Sequence, residues 1–134
     1  MYKEKGCRDL IERKYISRIE ALRNLYSSYL RGEEYCEEEC SSLYEYGLSL
    51  DYVPPYTFND QKEAYIRYQL SWGGPADEFR FFINPDYSIH RIEYWYLNWF
   101  DGAYVILGGE DFELMESILL ALAGEDIRHL IEKE

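Results

Sequence analysis

The chain has 134 residues and a net charge of −12, with 14 basic and 26 acidic side chains; 47% of residues are hydrophobic and 18% aromatic. That length fits one domain able to bury roughly two-thirds of its unfolded surface, and an aromatic content that includes 15 tyrosines excludes a disordered chain. The acidity argues against direct nucleic-acid binding, because affinity for phosphate chains comes from basic side chains that displace counterions.

The charge is unevenly spread. Eight basic and four acidic residues fall in 1–31, six and twenty-two in 32–134, so the chain runs from +4 to −16. Its opening, "MYKEKGCRDLIERK", has charges with no apolar core after them, which is not a secretory leader. No apolar run approaches the roughly 18 residues of a membrane span. Cys7, Cys36 and Cys40 do not make an even disulfide framework, so reduced thiols in the cytoplasm are expected.

Residues 7–30 read as one long helix, with Leu10, Ile11, Tyr15, Ile16, Ile19, Leu22, Leu25, Tyr26, Tyr29 and Leu30 at three- and four-residue steps. Arg8, Arg13, Lys14, Arg18 and Arg23 fall mainly on the other side, as a solvated basic face, and Gly32 suits the stop. Residues 33–47 read as a second helix, with Glu33 and Glu34 in its first turn, Tyr35, Cys36, Cys40, Leu43 and Tyr44 as its apolar stripe, and Gly47 at its end. "LSLDYVPPYTFND" is then a loop or extended crossing, since Pro54 and Pro55 forbid helix.

From residue 63 the period changes to two. Ala64, Ile66, Tyr68, Leu70 and Trp72 alternate with Tyr65, Arg67, Gln69 and Ser71, the pattern of a half-buried strand. Gly73, Gly74 and Pro75 form a hairpin corner, a second strand covers 78–83, "NPDYS" turns, and a third strand covers 89–99. A fourth strand, "AYVILGG", follows a turn at Asp101 and Gly102. Residues 110–123 return to helical spacing, stopped at Gly124, and a short final helix follows. The expected fold is α+β in a single domain, 1–134. Its parts are N-terminal helices (1–50), a three- to four-stranded antiparallel meander (63–107) and a C-terminal helical part (110–133).

Chemical signatures are sparse. The glycines at 73 and 74 join strands, whereas a phosphate-cradling loop leads into a helix. Cys36 and Cys40 could join Cys7 and His90 as zinc ligands, but their spacing on a helix fits structural zinc poorly, and burial as small core residues is the better account. His90 and His129 have no nucleophile elbow beside them. Acid pairs such as Asp77 with Glu78 or Glu110 with Asp111 are too abundant to single out a glycosidase pair. The aromatic belt "EYWYLNWFDG" at 93–102 reads as core in preference to a base-stacking platform, which would need a positive groove.

The run at 65–103 resembles a family of small acidic proteins from phages, plasmids and other mobile elements. The residues that carry the resemblance are Tyr68, Leu70, Ser71, Trp72, Gly73, Gly74, Pro75, Asp77 and Phe79, then Trp99, Phe100, Asp101 and Gly102. Such proteins often counter host defence, as anti-CRISPR and antirestriction proteins do. The resemblance suggests a host-defence inhibitor; with the absence of catalytic or metal signatures and the thiol reading, the expectation is a non-enzymatic inhibitor in the cytoplasm of a bacterial host cell, with no cofactor or metal. It would bind a protein partner, a nucleic-acid-binding defence complex, by presenting carboxylates in place of phosphates to a basic groove. The expected contacts are Glu33, Glu34, Glu37, Glu38 and Glu39 first, and Asp77, Glu78 and Asp101 second. An acidic regulatory or binding module without mimicry, and a small hydrolase, are the alternatives.

Overall fold

A computed structural model describes residues 7–73, 75–98 and 101–132. Gly74, Trp99, Phe100 and the side chain of Cys7 lie outside the described residues. The architecture is α+β: helix α1 (Cys7–Leu30), a one-turn helix α2 (Leu43–Tyr46), strands β1 (Ser49–Val53), β2 (Tyr65–Ser71), β3 (Ala76–Ile83), β4 (Ile89–Asn98) and β5 (Asp101–Ile106), then α3 (Gly109–Leu122) and the short α4 (Arg128–Ile131). The five strands form one antiparallel sheet in chain order, β1-β2-β3-β4-β5. Among the described residues no helix is long and apolar enough to cross a membrane.

α1 buries Ile11, Ile19, Leu22 and Leu25 against the sheet, with Tyr15, Tyr26 and Tyr29 partly buried beside them. Ile16 and Leu30 remain 50% and 65% exposed, so the apolar stripe is narrower than the sequence suggests. Gly32 ends the helix at φ +78, a left-handed stop that glycine adopts without the Cβ penalty. α3 begins with Glu110 and Asp111 in its first turn, where they complement the helix dipole. It buries Met115, Ile118 and Leu119 in the same core. Tyr15 Oη donates to Asp111 Oδ2 at 2.6 Å and ties α1 to α3.

Three expected elements differ. Residues 33–47 do not form one helix. Cys36 and Ser41 exchange backbone hydrogen bonds across a tight turn that has Cys40 at φ +52, and only Leu43–Tyr46 is helical. In a continuous helix Glu33 and Glu37, and Glu34 and Glu38, would be like charges four residues apart, which is destabilising. Ser42 starts the real helix instead, its hydroxyl accepting from the Glu45 backbone N–H at 3.3 Å. The turn also buries Cys36 but leaves Cys40 exposed, so the two thiols do not share one buried face. The second difference is β1. The stretch before Pro54 is an edge strand whose Asp51 and Arg67 are direct cross-strand partners, and the meander therefore has five strands. β5 begins at Asp101, opposite Asn98, so Asp101 and Gly102 belong to a strand and not to the turn before it.

Strand parity divides the sheet. Ile66, Tyr68, Phe79, Phe81, Ile92, Tyr94 and Tyr96 face α1 and α3, while Val53, Tyr65 and Phe82 form a small separate cluster on the other face. The aromatic belt is split in this way: Tyr94 and Tyr96 are core, and Trp95 lies half-buried on the far side, stacked on Tyr104 at 4.7 Å.

Two glycines test this packing. Gly47 lies flat against the buried Tyr68 ring, and a Cβ there would stand 2.2 Å from Tyr68 Cε1. Gly73 has φ +95 and open space around it. Gly47→Ala is expected to cost about 1–3 kcal/mol through overpacking, and Gly73→Ala about 1 kcal/mol through backbone strain alone. Chemical denaturation of both variants checks this; equal and negligible losses would refute it.

Candidate functional site

The acids expected to make contact, and those around them, fall into three structural groups that differ in exposure. The first is Asp77, which is 1% exposed at the foot of the hairpin corner. A β-bulge between Gln69 and Ser71 turns the Ser71 hydroxyl toward Asp77, and Ser71 Oγ also accepts from the Asp77 backbone N–H at 3.1 Å. Arg18 grips both carboxylate oxygens, Nε to Oδ2 at 2.7 Å and Nη2 to Oδ1 at 2.9 Å, and its Nη1 donates to Tyr46 Oη at 2.9 Å. Tyr94 Oη donates to Asp77 Oδ2 at 2.6 Å. Burial raises the Asp77 pKa, but the hydrogen bonds from Arg18, Ser71 and Tyr94 outweigh it and hold the carboxyl below the ordinary aspartate range. Asp77 is therefore an internal anchor and cannot serve as a surface contact. Arg18, read from sequence as part of a solvated basic face, is its partner.

The second group lies on the open face of the sheet, where each of the main acids meets an arginine. Arg67 takes Asp51 in two hydrogen bonds, at 3.2 and 2.8 Å. Arg80 Nε donates to Glu78 at 2.7 Å while its guanidinium lies over Trp95 at 4.2 Å and Tyr65 at 4.9 Å. Arg91 bonds Glu93 and Glu63 and lies 3.9 Å over the Phe82 ring. Glu78 is 4% exposed, so it too is removed from any exposed acidic surface. Between this face and the 58–63 loop runs a groove of about 500 Å³, with Phe58, Lys62 and Trp95 among its lining. Four of the six basic residues of 32–134 collect on or beside this face. No periodicity signals that gathering, because it is made by cross-strand register. His90 sits at its margin, 3.8 Å from Glu63, and no hydrogen bond joins either described histidine to a serine or cysteine.

The third group is the segment 33–45. Glu33 accepts from Ser28 Oγ and Arg31, both at 2.9 Å, and these bonds hold it below the ordinary glutamate range. Glu39 is half-buried and accepts from Asn24 Nδ2 at 2.9 Å. Glu34, Glu37, Glu38 and Glu45 are exposed, and among the described residues none of them is in an ion pair. The segment lies immediately beyond the C-terminus of the 24-residue α1, whose dipole adds roughly half a negative charge there. Asp101 is exposed, at the start of β5. The structure thus groups Glu33, Glu34, Glu37, Glu38 and Glu39 on one segment and separates them from Asp77 and Glu78.

Among the described residues no group of three or more histidine, cysteine, aspartate or glutamate side chains is placed to hold a metal ion. No protein-family model matches the chain, and no curated protein or solved structure matches it significantly.

The anchor has opposite consequences at the two ends of the pH scale. Asp77 is depressed in the folded state, so its stabilisation is complete above the unfolded value of about 3.9 and is lost as pH falls through the lower folded value. Tyr94 is raised by burial and by its bond to Asp77, and Tyr68 by burial. In the unfolded chain these phenols ionise near about pH 10, so stability falls as pH climbs beyond it. Asp77→Ala is expected to cost about 3–5 kcal/mol by leaving Arg18 charged and unpaired in a site where its side chain is 17% exposed. Asp77→Asn should flatten the acid limb of a stability-versus-pH curve while keeping the part of the alkaline limb that comes from burial of Tyr94 and Tyr68. Urea midpoints measured across pH decide it; an acid limb unchanged in Asp77→Asn would assign that limb to other carboxylates.

Proposed function

We propose that this protein is a non-enzymatic acidic inhibitor of the anti-CRISPR or antirestriction type. It binds a protein partner through the segment 33–45, whose carboxylates take the places of phosphates in a basic nucleic-acid groove. The observation that supports this reading most is the density, among the described residues, of exposed acids without an arginine partner in one short segment. Asp51, Glu63, Asp77, Glu78 and Glu93 each meet an arginine, whereas Glu34, Glu37, Glu38 and Glu45 present exposed, unneutralised charge. Like charges gathered beyond a helix C-terminus do not stabilise the fold, so their clustering calls for another account. Complementary charge would speed encounter and make it sensitive to salt. The resemblance of residues 65–103 to small acidic mobile-element proteins points the same way.

The test is capture of partners from a lysate that contains nucleic-acid-guided or restriction nuclease complexes, with purified wild-type protein and the Glu34→Lys/Glu37→Lys/Glu38→Lys variant. Each substituted side chain is exposed, so stability should change by less than about 0.5 kcal/mol per site. Affinity for the captured complex should fall at least tenfold, and wild-type affinity should fall as salt rises, since exposed charges are screened beyond about 8–10 Å at physiological ionic strength. The complex should also lose its nucleic acid when the wild-type protein binds. Unchanged affinity in the variant, with nucleic acid still bound, rejects the mimicry.

A further inference from the structure

The same segment closes a hollow, and we infer that this hollow receives one large apolar side chain from a basic segment of the partner protein. The inference rests on the reading of 33–45 as the binding surface and adds to it what the partner must carry. The hollow has a volume of about 400 Å³ and lies between the last turns of α1 and the start of α2. Its floor is apolar: Leu25, Cys36 and Leu43 line it and are 1%, 4% and 3% exposed. Tyr29 and Tyr44 wall it, their rings edge to face with centroids 6.0 Å apart. Glu33, Glu34 and Glu45 also line it, and each is an exposed residue. Leu30 and Tyr35, 65% and 53% exposed, extend apolar surface along the elements that frame it.

These features select one kind of occupant. The volume lies within the range of small-ligand pockets, roughly 300–1,000 Å³, and so has room for one large side chain. The floor of Leu25, Cys36 and Leu43 offers a cation no carboxylate, so charge is held beside the exposed glutamates and the group inserted to the floor is apolar. The carboxylates around it repel an acidic segment and favour lysine or arginine on either side of the inserted residue. A second copy of this chain is disfavoured, because a two-fold contact would set the same glutamates of a −12 chain against each other. The partner surface is therefore an apolar residue embedded in basic sequence, which is more specific than a basic groove alone. Carboxylates on an exposed surface steer the approach; an enclosed apolar contact decides how long the complex lasts.

The experiment titrates the full chain with a short amidated peptide whose central phenylalanine lies between lysine and arginine residues. The control peptide has alanine in place of the phenylalanine. Affinity is read by fluorescence anisotropy, and the site by methyl NMR shifts of Leu25 and Leu43. The phenylalanine peptide should bind about tenfold tighter than the control, should shift both leucines, and should lose that advantage in Tyr44→Ala. Tyr44 is 61% exposed, so that variant should fold, and its thermal midpoint checks that it has. Equal, salt-sensitive binding of the two peptides with no leucine shifts overturns the apolar anchor while leaving the charge reading intact. Binding of neither peptide overturns both. Concentration-dependent dimerisation in sedimentation, with the same leucine shifts and no peptide needed, would give the hollow to a second copy.

Discussion

The bond between Arg18 and Asp77 is the constraint on which the rest of the architecture depends. It joins the middle of α1 to the hairpin corner between β2 and β3, and through Tyr94 and Tyr46 it reaches β4 and α2. Asp77 has a fully buried side chain and every hydrogen bond to it comes from a different element or from the bulge beside it. A buried ion pair gives back little net energy after desolvation, so its effect is felt as register more than as stability. A shift of helix α1 by one turn would leave the Asp77 carboxylate buried without its guanidinium, so the pair favours one height of the helix on the sheet.

That anchoring gives the glycine-rich corner its meaning. Ser71, Gly73 and Asp77 are parts of one turn: the bulge aims the serine, the left-handed glycine at φ +95 reverses the chain, and the aspartate closes it from below. Trp72, 68% exposed, is left outside, its indole N–H on Gln69 at 3.0 Å. The corner is a structural device that fixes the helix from its buried side and exposes Trp72 on the other.

Charge is sorted by the same topology. Cross-strand register sets Asp51 opposite Arg67 and Arg80 opposite Glu93, so the open sheet face is a nearly neutral lattice of arginines, acids and rings. The net negative charge is left to segments outside the sheet, and the 33–45 stretch carries its densest run. There Glu33, Glu34 and Glu45 line an apolar hollow, and of these only Glu33 meets an arginine. Two surfaces with aromatic and charged residues thus have different characters: one is satisfied within the fold, the other faces outward.

Much of this was legible in the residues. The 3.6-residue spacing of Ile11, Ile19, Leu22 and Leu25 identifies α1, and the two-residue spacing from Ile66 to Leu70 identifies β2, because both periods are local consequences of backbone geometry. Gly32 and Gly124 mark helix ends for the same local reason, with φ +78 and +72. The failure at 33–47 had a local signal too: like charges at four-residue steps and the Ser42-x-x-Glu45 start were both in the sequence. The fates of the acids were not local. Asp77 and Glu78 are neighbours in sequence, yet one is gripped by α1 and the other by Arg80 on the opposite face, since adjacent strand residues point to opposite sides of a sheet. Sequence by itself determined the long helices, the central strands, their order and the total charge. Only the tertiary structure decided which carboxylates are buried, which are paired and which face solvent, because pairing depends on residues 59 positions apart, as in Arg18 and Asp77, meeting at hydrogen-bond distance.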